Sequence, residues 1–517
     1  MKKNKALAIT LLVLIAAIIT VFIVFVRPLL VSETTDEPAE TQEGESIGTL
    51  GKYRIYDKID RSSIARIEVN NPLGKYAFVR GSDGDFVIEG MEDLPYNQKY
   101  FSALVSVVGN PLALYKVASN ADRYEEYGLA DSNTYWIVTD TSGKEYKITI
   151  GYVTHTAGGY YVCYEGRDAV YMLGGNIADA LELTDGGTSI DDTVLRPIEF
   201  YVSPVLIAGI SQNDYYKTDK FLLFRDGDPF VALKTVDKED QINPSALVEN
   251  VLTYPAAYNP NSDYYYDILK KVVTLSGEST VLAGATDEDY AKYGLEDPKY
   301  IITFVFEETS YMILAGEADE DGSRYATSSM NPTVIAKVSS DYLGFLEDDL
   351  ISWVSRYPFE YNISSVEHIA VSGKGVSLDF TLRHGATDSS GKTELTVDAS
   401  DELTGQYRTI AEENDVWNFR SFYRTMLYTQ IEEDAPLSAD EAAALTADES
   451  NCVLTFEYTL DSGKVHTLKF WQYSTRRTLL TIDGSGQYYV YLDRAEKILN
   501  DAVKAFKGEE IDSHAKN

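Results

Sequence analysis

Cysteine is scarce in this sequence of 517 residues: the chain has two, Cys163 and Cys452. With no C-x-x-C spacing, thiol–disulfide exchange and cysteine-rich zinc sites are excluded. The two residues fall in non-equivalent predicted strands, which does not favour a disulfide between them but leaves it open. The five histidines are scattered without an H-E-x-x-H motif, so the usual ligands of a hydrolytic zinc are missing as well. We therefore predict no cofactor and name no metal ligand.

Basic residues are also few, with 45 Lys and Arg against 81 Asp and Glu and a formal net charge of −36. Such a surface repels phosphate backbones, which excludes a nucleic-acid partner. The nearest approach to a nucleotide motif is Gly391-Lys392-Thr393, but the upstream glycine is wrongly spaced. The residues that follow, "ELTVDAS", are strand-like, whereas a phosphate-binding loop must open a helix. We predict a hairpin turn there and no nucleotide.

Catalytic motifs are missing too. No G-x-S-x-G elbow occurs, and carboxylates are too plentiful for one glycosidase pair to stand out. In "DEDGSR" (319–324), Arg324 stands where a calcium-binding EF-hand loop needs glycine, which favours a solvated turn and leaves calcium at another acidic edge open. The sequence thus indicates no catalytic residue, and binding is favoured over enzyme activity.

The N-terminal sequence is the longest apolar stretch. Residues 6–26 are uncharged and long enough to cross the hydrocarbon core of a bilayer, and Lys2, Lys3 and Lys5 precede them. The positive-inside bias predicts a cytoplasmic tail over residues 1–5, a transmembrane helix over 6–26 and an extracytoplasmic remainder at the cell membrane. A cleaved signal peptide is the alternative.

An acidic linker is predicted over residues 27–52. The stretch "SETTDEPAETQEGESIGTLG" within it has six acids and no base, so it cannot form a core and extends by self-repulsion. As a coil it would hold the folded part about 25 Å from the bilayer.

Two stretches, "SNADRYEEYGL" (119–129) and "TDEDYAKYGL" (286–295), share the ending Tyr-Gly-Leu. Both have the spacing of a short capped helix, in which a left-handed glycine ends the helix and the next residue packs back on its first turn. A third stretch, "LSADEAAALTADES", has the capping box but lacks the Gly-Leu stop. The predicted structural residues of this motif are Ser119, Tyr124, Tyr127, Gly128 and Leu129; Thr286, Tyr290, Tyr293, Gly294 and Leu295; and Ser438 and Glu441.

The surrounding elements repeat with the motif. Alternating strand patterns begin at residues 62, 203 and 364, and an amphipathic helix follows each of them, over 97–109, 264–276 and 416–428. A meander of strands comes after each capped helix. We therefore predict an α+β fold, in which the N-terminal transmembrane helix is followed by three tandem repeats of antiparallel β-meanders with packed helices. The predicted domains are 53–200, 201–362 and a diverged 363–510.

The pattern Y-G-L … Y-x-I-x-I-G … Y-Y … V-Y-x-L resembles the bacterial domain-of-unknown-function family 4340. In this sequence it is carried by Tyr127, Gly128, Leu129, Tyr146, Ile148, Ile150, Gly151, Tyr160, Tyr161, Val170, Tyr171 and Leu173. The resemblance covers most of residues 53–350. It implies an extracytoplasmic accessory of ABC-type exporters of the gliding-motility kind, and it supplies no catalytic residues.

The expected function is therefore that of a membrane-anchored, extracytoplasmic interaction protein with a partner in a membrane transport complex. Two alternatives stay open. One is an extracellular hydrolase acting on glycans through unrecognised carboxylates. The other is a surface carbohydrate-binding protein whose sugars stack on aromatic residues such as Tyr160, Tyr161, Tyr488 or Tyr489, although ordinary sheet faces explain these tyrosines equally well.

Overall fold

The computed structural model describes residues 43–47, 52–119, 123–154, 158–174, 190–239, 241, 248–387 and 393–512. The predicted transmembrane helix over residues 6–26 lies outside this part of the chain. Among the helices that are described, none is both long enough and apolar enough to span a bilayer. The predicted α+β class with an N-terminal transmembrane helix is corrected to a fold made mainly of antiparallel sheets, with 41% strand and 24% helix.

The chain divides into two compact units, Met1–Tyr201 and Val202–Asn517. In the first unit, one sheet of eight strands has the order β5-β4-β3-β8-β9-β10-β11-β7, and a small sheet has the order β1-β2-β6. Short 3-10 helices cover Arg61–Ser63, Tyr124–Tyr127 and Ile198–Tyr201. The other elements are β1 (Ser46–Ile47), β2 (Tyr53–Arg54), β3 (Ile64–Asn71), β4 (Gly74–Arg80), β5 (Phe86–Ile88), α1 (Gln98–Gly109), β6 (Leu112–Ala113), β7 (Tyr115–Ser119), β8 (Tyr135–Asp140), β9 (Glu145–Val153), β10 (Gly159–Tyr164) and β11 (Ala169–Gly174).

Helix α1 covers one face of the first sheet. Its residues Phe101, Leu104 and Val108 are fully buried, as the i, i+3, i+7 spacing requires. The ring of Phe101 meets that of Phe78 in β4 edge-on, with 5.1 Å between centroids. The amphipathic helix predicted over 97–109 is confirmed, with Asn97 as its N-cap.

The last residues of the predicted acidic linker belong to the first unit. Strand β1 pairs with β2, and the carboxylate of Glu45 lies 3.0 Å from the ammonium of Lys116 in β7. Both side chains are almost fully buried. The guanidinium of Arg167 donates a hydrogen bond of 2.5 Å to the carbonyl of Glu43. The linker prediction over 27–52 is therefore wrong at its C-terminal end, because composition could not reveal a buried cation waiting for one of its acids.

The second unit contains the second and third repeats, each with one eight-stranded antiparallel sheet. Their orders are β14-β13-β12-β16-β17-β18-β19-β15 and β23-β22-β21-β20-β24-β25-β26-β27. The strands of the first of these sheets are β12 (Thr218–Arg225), β13 (Asp228–Thr235), β14 (Asn250–Tyr254), β15 (Ser279–Ala283), β16 (Tyr300–Phe306), β17 (Thr309–Ala318), β18 (Arg324–Ser328) and β19 (Val334–Val338). Those of the second are β20 (Val366–Gly373), β21 (Val376–Thr387), β22 (Thr393–Asp401), β23 (Gln406–Ile410), β24 (Cys452–Leu460), β25 (Val465–Gln472), β26 (Arg477–Ile482) and β27 (Tyr489–Tyr491).

The helices of the second unit are shorter in total than its strands. They are α2 (Ser262–Val272), α3 (Asp287–Lys292), α4 (Ser340–Leu343), α5 (Glu413–Leu427), α6 (Ala439–Ala447) and α7 (Leu492–Lys507). Short 3-10 helices cover Gln212–Lys217, Gly344–Glu347, Leu350–Ser352, Ile363–Ser365 and Glu449–Asn451. One hydrophobic core runs through both repeats, from Leu206 to Ile511.

In every repeat the leading strands and the meander form a single sheet. Strand β3 pairs with β8, β12 with β16, and β20 with β24, all antiparallel. The third sheet differs in its edges. It has four leading strands instead of three, and its described residues supply no strand in the position of β7 or β15. The repeats are thus related by a common sheet order, and the third departs from it.

Candidate functional site

The repeated Tyr-Gly-Leu residues end short helices, as predicted. Gly128 and Gly294 each have φ of +67°, in the left-handed region. The next backbone N–H groups, of Leu129 and Leu295, donate to the carbonyls of Tyr124 and Tyr290 at 2.9 and 2.7 Å. This is the 6→1 bond of a Schellman motif. Both C-terminal stops are confirmed.

The predicted N-caps are confirmed in two of the three repeats. In the second, the Asp289 carboxylate accepts hydrogen bonds from both the backbone N–H and the hydroxyl of Thr286, at 2.9 and 2.7 Å. In the third, Ser438 and Glu441 form a reciprocal capping box. The Ser119 prediction is wrong: this residue ends β7, and the helix that follows is a 3-10 turn whose N-cap position is Arg123. Strand pairing of β7 with β11 outcompetes the local cap.

The two halves of the repeated motif pack against each other. A Cβ built on Gly151, at the end of Y-x-I-x-I-G, would lie 2.2 Å from the carbonyl oxygen of Tyr127. At the equivalent Gly316, the carbonyl oxygen of Tyr293 is 3.1 Å away. The ring of Tyr127 meets Tyr161 at 5.1 Å, and the fifth residue pair is matched by Tyr293 with Tyr325 at 4.9 Å. The motif is a packing contact between helix end and strand, and its residues are structural.

Replacing Gly294 by valine should lower the free energy of unfolding by about 1–2 kcal/mol or more, because a β-branched residue is strained at positive φ. No atom lies within 4 Å of a Cβ at this position, so the loss would be conformational and not steric. Urea unfolding measures it. Gly294→Asn is the matched control, since Asn tolerates this conformation, and an equal loss in both variants would contradict the explanation.

The third repeat has lost this contact and gained other residues. Aligning "SGKEYKITIG" (142–151) with "SGKVHTLKFW" (462–471) places Trp471 at the position of Gly151. Trp471 is buried, and its indole N–H donates to the Thr481 hydroxyl at 2.9 Å. The same alignment places His466 where the first repeat has Tyr146. Without a helix end pressed on the strand, the glycine is no longer required.

His466 is held by a carboxylate. It is 8% exposed, and its Nδ1 lies 2.7 Å from Oδ2 of Asp483, which follows β26. The other carboxylate oxygen accepts a hydrogen bond of 2.8 Å from the backbone N–H of Thr467. An ionised carboxylate only accepts, so Nδ1 carries the proton and Nε2 of the neutral ring is an acceptor. Nε2 is buried and has no hydrogen-bond partner within the described residues.

His466 lines a cavity of about 680 Å³ between the second and third repeats. This volume is in the range of small-molecule sites. Two tyrosines line the cavity with it: the imidazole packs against Tyr361 and Tyr458, with ring centroids 5.9 and 5.3 Å away. The Tyr423 hydroxyl donates to the carbonyl of Tyr361 at 2.8 Å and fixes that segment. The histidine, its carboxylate and the two phenols form one rigid wall.

The electrostatics of the cavity are negative. Five carboxylates and two lysines line it. Burial raises the pKa of the Tyr361 hydroxyl, and the negative charges of Glu249 and Asp483 raise it further. Burial likewise raises the pKa of Tyr458. Both phenols are therefore neutral at physiological pH, and the wall offers more hydrogen-bond acceptors than donors.

The other residues considered from the sequence take ordinary structural positions. Tyr488 and Tyr489 are buried and cannot stack on a sugar, and the Tyr160 hydroxyl donates to Asp191 at 2.8 Å. Cys163 and Cys452 are both free thiols. Asp321 of the "DEDGSR" turn bonds Lys337 at 2.8 Å, and the strand predicted after the Gly391 turn is confirmed as β22. The described residues contain no cluster of side chains suited to a metal ion.

Sequence reasoning missed the His466–Asp483 pair because the two residues are 17 positions apart. Pairing of Leu468 in β25 with Ile482 in β26 brings them together. A signal was present in the repeats: the position is Tyr146 in the first, Tyr311 in the second and histidine only in the third. A comparison of the repeats with one another would have singled out this histidine, whereas a search for known motifs could not.

Comparison with known proteins gives one match to a family. The family model described as "Domain of unknown function (DUF4340)" matches residues 87–256 and again 251–410, which together are more than half of the chain. No curated protein matches, and no solved structure matches. His466 and Asp483 lie beyond the second matched region.

Proposed function

On the premise that the chain belongs to the DUF4340 family, whose description gives no activity, we propose that it is a binding protein with its ligand site in the cavity between the second and third repeats. The observation that carries the proposal is the buried, unpartnered Nε2 of His466. A buried polar atom without a partner is unfavourable, and a ligand that donates a hydrogen bond would satisfy it.

The rest of the site supports binding over nucleophilic catalysis. A serine nucleophile would have to hydrogen-bond the free nitrogen of His466, as in hydrolytic triads. The Ser355 hydroxyl, which lines the cavity, instead donates to Glu360 at 2.6 Å. Within the described residues, no hydroxyl occupies the place of a nucleophile beside Nε2.

We place the protein at the cell membrane with its repeats outside the cytoplasm, and its partner in an ABC-type transport system. Two features support this. The lysines and apolar residues at the start of the sequence have the charge order of an extracytoplasmic protein. The resemblance of the motif to its family implies the transport partner, and the absence of any nucleotide motif in the sequence means that ATP hydrolysis would belong to another subunit.

Photocrosslinking in native membranes tests the partner and the site together. A photoreactive residue at Lys464, which is exposed at the cavity, should capture a transport subunit or its cargo, as identified by mass spectrometry. The control is the same residue at Leu403, which is exposed in the turn after β22. Equal capture from both positions, or capture of no transport component, would count against the proposal.

A hydrolase is the second candidate, because Asp483, His466 and a free Nε2 also have the order of an orienting acid and a general base. Glycan and peptide substrates should therefore be incubated with the purified protein. Turnover that disappears in His466→Gln would establish the hydrolase and overturn the binding proposal.

A further inference from the structure

The wall of the cavity differs from the corresponding places in the other two repeats. The position of His466 is a tyrosine in both of them, Tyr146 and Tyr311, and each packs on aromatic neighbours, Tyr56 and Phe304. A tyrosine hydroxyl donates and accepts, whereas the free Nε2 of His466 only accepts while the ring is neutral. The third repeat has thus exchanged a donor for an acceptor at a buried point.

The charges around this wall are unevenly placed. Glu249 is partly buried at the start of β14, and its charge reaches the Tyr361 hydroxyl. The two lysines of the cavity, Lys234 and Lys464, are both exposed. The inner wall therefore has carboxylates, an imidazole acceptor and aromatic rings, and the positive charges are confined to the exposed rim.

We propose, building on the binding function above, that the cavity recognises a positively charged, hydrogen-bond-donating group, such as a primary ammonium carried on a ring. The ammonium would donate to Nε2 of His466 and lie near the carboxylates of Asp483 and Glu249. Its ring or carbon frame would pack on Tyr361 and Tyr458, since aromatic faces attract cations. An anionic ligand would meet the same carboxylates and the net charge of −36.

Three probes of one shape test the charge preference: benzylammonium, benzyl alcohol and benzoate. We expect benzylammonium to shift the imidazole resonances of His466 in the full-length protein and to bind about tenfold more tightly than benzyl alcohol, from charge and cation–π attraction. Benzoate should not bind. Equal binding of the alcohol, tighter binding of benzoate, or no binding of benzylammonium at 20 mM, roughly twentyfold above a 1 mM Kd for a probe of this size, would overturn the inference.

Two variants make the test specific to this site. His466→Tyr introduces the residue that the other two repeats hold at this position, so it should fold, as circular dichroism can verify, and lose the preference for benzylammonium. Lys464→Ala removes a rim charge and should strengthen benzylammonium binding about twofold or leave it unchanged. A preference that survives in His466→Tyr would show that the cation binds elsewhere.

The two proposals can fail separately. If photocrosslinking captures a partner or cargo at the cavity but benzylammonium does not bind, the binding function stands and the ligand class is wrong. If benzylammonium binds through His466 and no transport component is captured, the ligand class stands and the proposed partner is wrong.

Discussion

Gly151→Ala is expected to lower the stability of the first unit by about 3 kcal/mol, which is at the upper end for an overpacked site. The added methyl group would stand 2.2 Å from the carbonyl oxygen of Tyr127 and 3.0 Å from the side chain of Leu129. A backbone oxygen in a hydrogen-bonded helix end cannot move aside as a flexible side chain can. Hydrogen exchange of β8 and β9 amides, followed by mass spectrometry, gives the loss for this unit alone.

The second repeat contains the matched control. At Gly316 the nearest atom, the carbonyl oxygen of Tyr293, is 3.1 Å from the built Cβ, so a small shift accommodates alanine. Gly316→Ala should therefore lower stability by less than about 1 kcal/mol, as tolerated core changes do. Similar losses at both glycines would mean that the contact between helix end and strand does not set the requirement for glycine.

Lys116→Met should lower the stability of the first unit by about 3–5 kcal/mol, because it leaves the Glu45 carboxylate charged and buried without its partner. The two side chains are 2% and 0% exposed, so water cannot take the place of the lost ammonium while the segment stays in position. Hydrogen exchange of β7 and β11 measures the effect.

Replacing both partners tests the cause. Glu45→Leu combined with Lys116→Met should recover most of the loss, because no buried charge remains. Lys270→Met, which breaks a partly exposed pair with Asp267, should change stability by less than about 1 kcal/mol. If Lys116→Met alone has an effect as small as that control, residues 43–47 leave the unit with their charge and contribute little to its stability.

Local patterns in the sequence predicted the local structure well. The buried face of α1 follows from the spacing of Phe101, Leu104 and Val108, and the positive φ of Gly128 and Gly294 follows from the chemistry of a helix stop. These features depend on residues within one or two turns of each other. Periodicity and capping rules read that range directly.

Features that depend on distant partners were missed or wrong. Ser119 has the right residue type for a cap, but its pairing with Ala169 in β11 decides its place. Glu45 lies in an acidic stretch, but a buried Lys116 draws it into the fold. The His466–Asp483 pair exists only once β25 and β26 are joined. In each case the decisive contact is far along the chain, where composition and spacing carry no information.

The recurring stretch of sequence is not the stretch that folds. Each family match begins near the end of one sheet's leading strands and ends after the leading strands of the next sheet. A chain cut after residue 256 would keep β12 and remove its partner β16. The cut would expose an unpaired row of backbone N–H and C=O groups along β12, which favours aggregation through edge-to-edge pairing. Soluble fragments of such chains should therefore be sought at boundaries like residue 201, where a sheet is complete, and not where the sequence recurs.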